Sequence, residues 1–324
     1  MKLSFKDLKK ITFGAVSVYE DNGYLVCERF TEKQKECYKK YRTISLRNKV
    51  NATAGIRFSF KSNTEFIKFN YVLDYASSRQ FAYFDVLVNG KIVSHEGTEK
   101  ICEEEKALEV FLEKGEKEIE IYFPWSMRGK IKNFEISNNA SLFPLKRRKT
   151  MISYGDSITQ GYDAIYPANS YVSKLAKALD CDVYNKAIGG DTFFPELLEA
   201  KEGFIPDIVT VAYGVNDSVK CSWGEFVFNC KTFFELLYEN YKSSKIYVIT
   251  PIWVLREDGR DPTKLSLSEV REFIKQTAHS YENVTIIDGF ELVPCKEEFF
   301  TDGLHPNDEG FKFYIENLIK NLKF

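Results

Sequence analysis

Met151-Ile-Ser-Tyr-Gly-Asp-Ser-Ile-Thr-Gln-Gly161 sets a short apolar run directly before a glycine, an acid and a serine. Residues 151–154 have the composition of a buried strand, Gly155 stops the run, and Ser157 stands where a strand gives way to a loop, the place for a nucleophile. Taken alone, Gly155-Asp156-Ser157 is equally an ordinary turn. Glycine supplies positive φ, and Asp and Ser side chains bond their own backbone. What lies downstream decides between the two readings.

Runs rich in apolar and β-branched residues recur at 150–154, 182–185, 208–213, 245–250 and 284–288. Helical patterns separate them. Val172, Leu175, Ala176 and Leu179 share one stripe of 170–179, 226–238 is apolar enough to lie on a sheet, and Ser266-Leu-Ser-Glu269 reads as a capping box; a last helix runs from about 308 to 322. Strands alternating with helices predict a parallel sheet covered on both faces. Ligand sites of such sheets form beyond the carboxyl ends of the strands. Ser157, Ile188-Gly189-Gly190-Asp191 and Gly214-Val215-Asn216-Asp217 follow the first three predicted strands, and the loop beyond the fifth holds Thr301-Asp302-Gly303-Leu304-His305-Pro306.

Upstream the period is two. Ile56, Phe58 and Phe60 alternate with Arg57 and Ser59, 66–71 repeats the pattern, and the runs 81–88 and 91–93 flank Asn89-Gly90, a pair suited to a type I′ hairpin turn. Lys114-Gly115 separates 108–112 from 119–123, and 131–136 closes the series. With no convincing amphipathic helix among them, these strands predict an all-β sandwich over 1–147, ahead of an α/β domain over 148–324. A chain of 324 residues also exceeds the roughly 250 to 300 at which single cores stop growing. Lys146-Arg147-Arg148-Lys149 reads as a solvated linker between the two.

Composition excludes several classes. A net charge of −2 leaves no electrostatic footprint for nucleic acid, and the first residues are too interrupted by charge for a signal peptide. No apolar run is long enough to span a bilayer, so the expectation is a cytoplasmic protein with neither membrane nor nucleic-acid partner. Seven scattered cysteines without a Cys-x-x-Cys pair predict buried reduced thiols rather than disulfides or zinc ligands.

A serine hydroxyl needs a base to take its proton as it attacks. His305 is the only histidine on the predicted rim; His95 reads as an exposed turn residue and His279 as a surface or packing residue of a helix. Asp302, three residues before His305, is placed to hold the imidazole tautomer. The N–H groups of Ser157 and Gly190 and the carboxamide of Asn216 could stabilise an oxyanion. Tyr162, Tyr166, Tyr213 and Trp253 fall near the same rim as a possible substrate pocket. Asp191-Thr192 reads as a helix cap, Asp156 as a turn-shaping residue. In the first half, Tyr71, Tyr75, Arg79, Tyr83 and Trp125 either line a sugar-binding face or pack in the interior.

The blocks Gly155-Asp156-Ser157-Ile158-Thr159, Ile188-Gly189-Gly190, Gly214-Val215-Asn216-Asp217 and Asp302-Gly303-Leu304-His305-Pro306 resemble the four blocks of the GDSL, or SGNH, hydrolase superfamily. That resemblance implies a flavodoxin-like three-layer α/β/α fold, with Ser157 as nucleophile and first oxyanion donor, Gly190 and Asn216 as further donors, and Asp302 and His305 as triad partners. It implies no metal or organic cofactor. Val215, beside the asparagine, departs from many members. A jelly-roll-like sandwich ahead of such a domain is similar to two-domain bacterial esterases, several of which deacetylate carbohydrates. The expected function is therefore a serine esterase acting through an acyl-enzyme on a small-molecule or oligosaccharide ester, acetyl first. The alternatives are an acyltransferase with the same triad and a carbohydrate-binding protein with an inactive hydrolase domain.

Overall fold

In the computed structural model, which describes residues 1–102, 104–255 and 265–322, the second half of the chain is built on five parallel strands: Lys149–Gly155, Cys181–Asn185, Ile208–Ala212, Lys245–Ile249 and Val284–Ile287. In space the second strand lies outermost, followed by the first, third, fourth and fifth. This is the flavodoxin-like order, and it reverses beside Lys149–Gly155, so the strand that leads to Ser157 ends at the switch point where ligand sites of such sheets form. Alternate strand residues serve opposite faces, as a strand's period of two requires. Ile152, Val209, Ile246 and Val248 pack under helix Trp223–Asn240 with Phe226, Phe233 and Phe234, whereas Met151, Ile208, Tyr247 and Ile249 meet helices Tyr171–Ala178 and Asp308–Asn321. Helix Leu267–Ala278 starts one residue after Ser266, but the expected capping box does not form, because Ser266 makes no side-chain cap bond.

The first half contains two antiparallel sheets face to face. Phe58, Phe60, Phe69, Phe84 and Phe134 interlock between them, mostly edge to face, with Phe69 and Phe134 stacked at 5.4 Å. Asn89 and Gly90 form the hairpin turn with φ of 48° and 81°, joining Ala82–Val88 to Lys91–Thr98.

The expectation of an all-β first half needs correction. Three helices, Phe5–Ile11, Glu32–Tyr41 and Ile44–Lys49, accompany the strands. The first two open on capping boxes, Ser4 with Asp7 and Thr31 with Gln34. Glu32–Tyr41 lacks a wide apolar stripe because it serves no core of its own: Tyr38, with Phe30 and Val50, packs into the interior of the α/β half, where its ring meets Phe194 at 5.0 Å. Arg147, read as part of a solvated linker, is instead tied to Glu120 at 2.6 Å and to the Cys181 carbonyl at 3.2 Å. Arg57 reaches Asp182 at 2.6 Å across the same seam. The cysteines are all unpaired, but Cys295 is exposed rather than buried. Among the described residues, no helix is long and apolar enough to cross a membrane.

Candidate active site

Strand Lys149–Gly155 ends in a turn with no room for a side chain at Gly155, where a Cβ would lie 2.3 Å from the Thr159 hydroxyl. Asp156 then caps the short helix Ser157–Gln160 by accepting from the Ile158 N–H, the turn-shaping part expected of it. Burial raises its carboxyl to about 6. This geometry presents Ser157, 7% exposed, to His305: Ser157 Oγ and His305 Nε2 are 2.8 Å apart. On its other side the imidazole places Nδ1 3.1 and 3.0 Å from the two Asp302 oxygens. If Nε2 accepts from the serine hydroxyl, Nδ1 must carry the proton and donate it to Asp302. Burial pushes the Asp302 carboxyl up. The His305 ring, the His305 N–H and the Leu304 N–H outweigh that effect and hold it well below the usual carboxylate range.

Two further strand ends, neighbours of Lys149–Gly155 in the parallel sheet, lead to the other expected donors. Gly190, in a turn at φ 89°, follows Cys181–Asn185, and Asn216, half-buried, sits in the first turn of helix Val215–Lys220 after Ile208–Ala212. Among the described residues, the N–H groups of Ser157 and Gly190 and the Asn216 carboxamide have no hydrogen-bond partner. A serine bonded to an imidazole that is held in turn by a carboxylate is an arrangement suited to acyl transfer.

Residues 153–313 match the GDSL-like Lipase/Acylhydrolase family. Those residues form a domain of that family. The chain is an enzyme of the GDSL/SGNH esterase class. Among solved structures, the salicylyl-acyltransferase SsfX3 of a tetracycline biosynthetic pathway is similar over 96% of this chain and 93% of its own, with 19% identity and a TM-score of 0.83. A protein of Bacteroides ovatus described as GDSL-like covers 98% and 95%, at 17% identity and TM-score 0.79. A family two carbohydrate esterase from Cellvibrio japonicus covers 99% and 96%, at 15% identity and TM-score 0.66. These likenesses extend the shared fold to both halves of the chain. A search of curated proteins by sequence returns no significant match.

The GDSL domain does not hold its Asp302–His305 pair unaided. Arg79, from the first half, donates Nε and Nη2 to the two oxygens of Asp163, each at 2.6 Å, and Nη2 also lies 3.2 Å from Asp302 Oδ2. Asp163 Oδ2 is in turn 3.6 Å from His305 Nδ1. The Arg79 Nη2 to His305 Nδ1 separation of 3.4 Å is no hydrogen bond when Nδ1 carries its proton, since both atoms are then donors. The sequence marks Arg79 only as a sugar-face or packing residue, and Asp163 not at all. Asp163 lies in the turn after the nucleophile helix, where Gly161 has φ 112° and Asp163 itself φ 66°. Asp163, Asp302 and His305 are also spaced as metal ligands could be, but the Arg79 guanidinium already bridges the two carboxylates.

The proposed pocket residues separate. Tyr162 is buried, its ring 5.4 Å from that of His305 and 4.8 Å from Trp125 of the first half. Tyr166 packs at 4.1 Å on His95, away from the serine. Tyr213 is not at the rim: the alternation beyond Ile208–Ala212 turns it into the interior, against Phe193 at 5.2 Å and Phe233 at 5.7 Å. Trp253 stacks on Phe290 at 3.7 Å and donates Nε1 to the Phe290 carbonyl. His95 is not an exposed turn residue; it lies in strand Lys91–Thr98, bonded to buried Asp85 at 2.7 Å and sandwiched between Tyr83 and Tyr166. Asp191 caps no helix. It accepts from Tyr38 at 2.8 Å and pairs with Arg42 at 3.0 Å, a tie to the first half. Tyr71 and Trp125 are interior, and Tyr75 is exposed.

Proposed function

We propose that the protein is a serine esterase working through an acyl-enzyme, with short acyl groups, acetyl first, on a carbohydrate or similar polar alcohol. The observation that carries this reading is the continuous hydrogen-bonded line from Ser157 Oγ through His305 to Asp302. Ser157 Oγ bonds to the ester carbonyl carbon while its proton passes to His305 Nε2, and the carbonyl oxygen takes the negative charge before the Ser157, Gly190 and Asn216 donors. Collapse breaks the bond to the alcohol oxygen, which leaves with the proton from His305. Water then repeats the sequence, giving its proton to His305, and departure of the acid restores the Ser157 hydroxyl. Asp302 stays ionised throughout and faces the imidazolium. General-base help of this kind is worth about 10² to 10⁴ in rate, and each oxyanion donor about 10² to 10³.

The carbohydrate alcohol is supported by the full-length likeness to a family two carbohydrate esterase. The likeness to a salicylyl-acyltransferase favours a second reading, in which an alcohol replaces water in deacylation. Turnover of p-nitrophenyl acetate by the wild type and by Ser157→Ala tests the first statement. Loss of at least about 10³-fold in kcat/KM is expected, and equal slow hydrolysis by the two proteins would refute it. Adding a polyol separates the two readings: esterase action yields acetate, transfer yields a new ester.

A further inference from the structure

The turn Ile188-Gly189-Gly190-Asp191 has one backbone N–H left over. The Gly189 N–H donates to Gln160 Oε1 at 2.7 Å, the Asp191 N–H donates to the Ile188 carbonyl at 3.0 Å, and the Gly190 carbonyl accepts from Lys220. The Gly189 carbonyl accepts from Lys49 Nζ at 2.6 Å. Of the turn's four N–H groups, only that of Gly190 has no partner among the described residues. That N–H shares a planar trans peptide with the Gly189 carbonyl, and the two point in opposite directions. Whatever fixes the carbonyl therefore fixes the N–H.

Two consecutive glycines make this peptide easy to turn over, since glycine accepts backbone conformations closed to other residues. Turned over, it would aim a carbonyl dipole at a developing oxyanion and take the N–H away. Lys49 opposes that motion. Lys49 is only 8% exposed, so losing the Gly189 carbonyl would strand an ammonium with little water to replace it. A cation on the carbonyl also polarises the peptide and strengthens the N–H as a donor. Lys49 is itself held. Buried Arg29 donates to the Lys49 carbonyl at 3.0 Å and to the Asn185 and Ala187 carbonyls at 2.8 and 2.9 Å, joining helix Ile44–Lys49 to the loop that leads into the glycines.

We propose that Lys49 is a positioning residue for ester cleavage, holding the Gly189–Gly190 peptide with its N–H presented to the oxyanion. The proposal rests on the esterase reading with Gly190 as an oxyanion donor. It makes the first half of the chain part of the reaction's electrostatics, since the cation that sets the donor comes from there.

The experiment uses the full chain. Lys49→Met keeps most of the apolar stem and removes the ammonium. Its kcat on p-nitrophenyl acetate is expected to fall about 100-fold, the loss typical of one oxyanion donor, with KM within about two-fold. Affinity for a trifluoromethyl ketone, whose adduct with Ser157 carries the oxyanion, should fall in proportion. Lys49→Arg restores a cation and should recover most of kcat. Should Lys49→Met fail to fold, Lys49→Gln, with a neutral donor to the same carbonyl, carries the test through the same two readouts and an intermediate loss. Unchanged kcat, or a loss confined to KM with undiminished ketone affinity, overturns the Lys49 inference while Ser157-dependent turnover of the wild type leaves the esterase reading standing. Wild-type turnover indifferent to Ser157→Ala overturns both.

Discussion

Arg79→Met removes the guanidinium that ties Asp163 to Asp302, and its consequences can be worked from the distances. Two hydrogen bonds of 2.6 Å to Asp163 and one of 3.2 Å to Asp302 vanish together. Asp163 is 3% exposed, so its carboxylate stays away from water with His305 Nδ1, 3.6 Å off, as the nearest polar partner in view. Two carboxylates then compete for one N–H. Either the imidazole rotates from Asp302 toward Asp163, drawing Nε2 off the serine, or Asp163 takes up a proton. A displacement of order 1 Å at a general base costs about 100-fold in kcat, or ~2.7 kcal/mol. Breaking a buried ion pair costs about 3–5 kcal/mol of stability, which the partial exposure of the Arg79 side chain, 27%, discounts to roughly 1–3. The assay is kcat on p-nitrophenyl acetate well below the unfolding transition, beside urea unfolding. The double variant Arg79→Met/Asp163→Asn leaves no orphan charge. It should regain most of the lost stability and part of kcat, giving a non-additive cycle. An Arg79→Met enzyme within two-fold of wild-type kcat, or strictly additive single losses, would refute the coupling.

Two other sites give sharp expectations. Asp217 is buried, with one oxygen accepting from the Phe193 N–H at 3.0 Å and the other unpaired, and burial followed by the nearby Asp156 raises its carboxyl to about 7. Between the unfolded value of about 4 and that folded value the native state keeps a proton the unfolded chain has lost, so this group's contribution falls as pH rises. Asp217→Asn removes the effect. Relative to wild type, its unfolding free energy should rise by roughly 1–4 kcal/mol between pH 4.5 and 8, and an unchanged difference across that range would show that Asp217 is ionised throughout. At Gly189, a Cβ would lie 2.5 Å from the Tyr162 ring, which is itself 5.4 Å from His305. Gly189→Ala should cost about 1–3 kcal/mol of stability and depress kcat, as measured by melting and turnover; a variant with wild-type values would mean that the ring yields freely.

What the amino-acid sequence makes legible follows from how local each signal is. Ser157, Gly190, Asn216, Asp302 and His305 each follow a short apolar strand, and strand–helix alternation alone brings such positions to one edge of a sheet. Asn89-Gly90 is equally local. The helix Glu32–Tyr41 was hidden because its buried residues, Gln34 and Tyr38, answer to a surface outside its own half, though the Thr31–Gln34 capping box was there to be read. His95 was misplaced because its strand continues through the polar residues Ser94 and Glu96 as far as Thr98, sustained by pairing with Ala82–Val88 rather than by apolar alternation. Tyr213 misled for the opposite reason: one step past the end of a strand, the direction of a side chain is set by the pleat, and here the pleat turns it inward.

Arg79, Lys49 and Asp163 lie beyond any local signal, since their contacts span 223 residues from Arg79 to Asp302, 140 from Lys49 to Gly189 and 84 from Arg79 to Asp163. Charge explains why Arg79 comes with Asp163. An imidazolium beside Asp302 alone faces one negative charge. Arg79 without a second acid would cancel it at 3.2 Å, and the proton transfer from Ser157 would lose its counter-charge. With Asp163 present the three groups together carry the same single negative charge as Asp302 alone. The guanidinium can then fix the carboxylate's position without weakening its hold on the imidazolium. The two residues act as one neutral clamp, whose parts come from opposite halves of the chain, and this is why the double substitution should be kinder to the enzyme than the loss of Arg79 by itself.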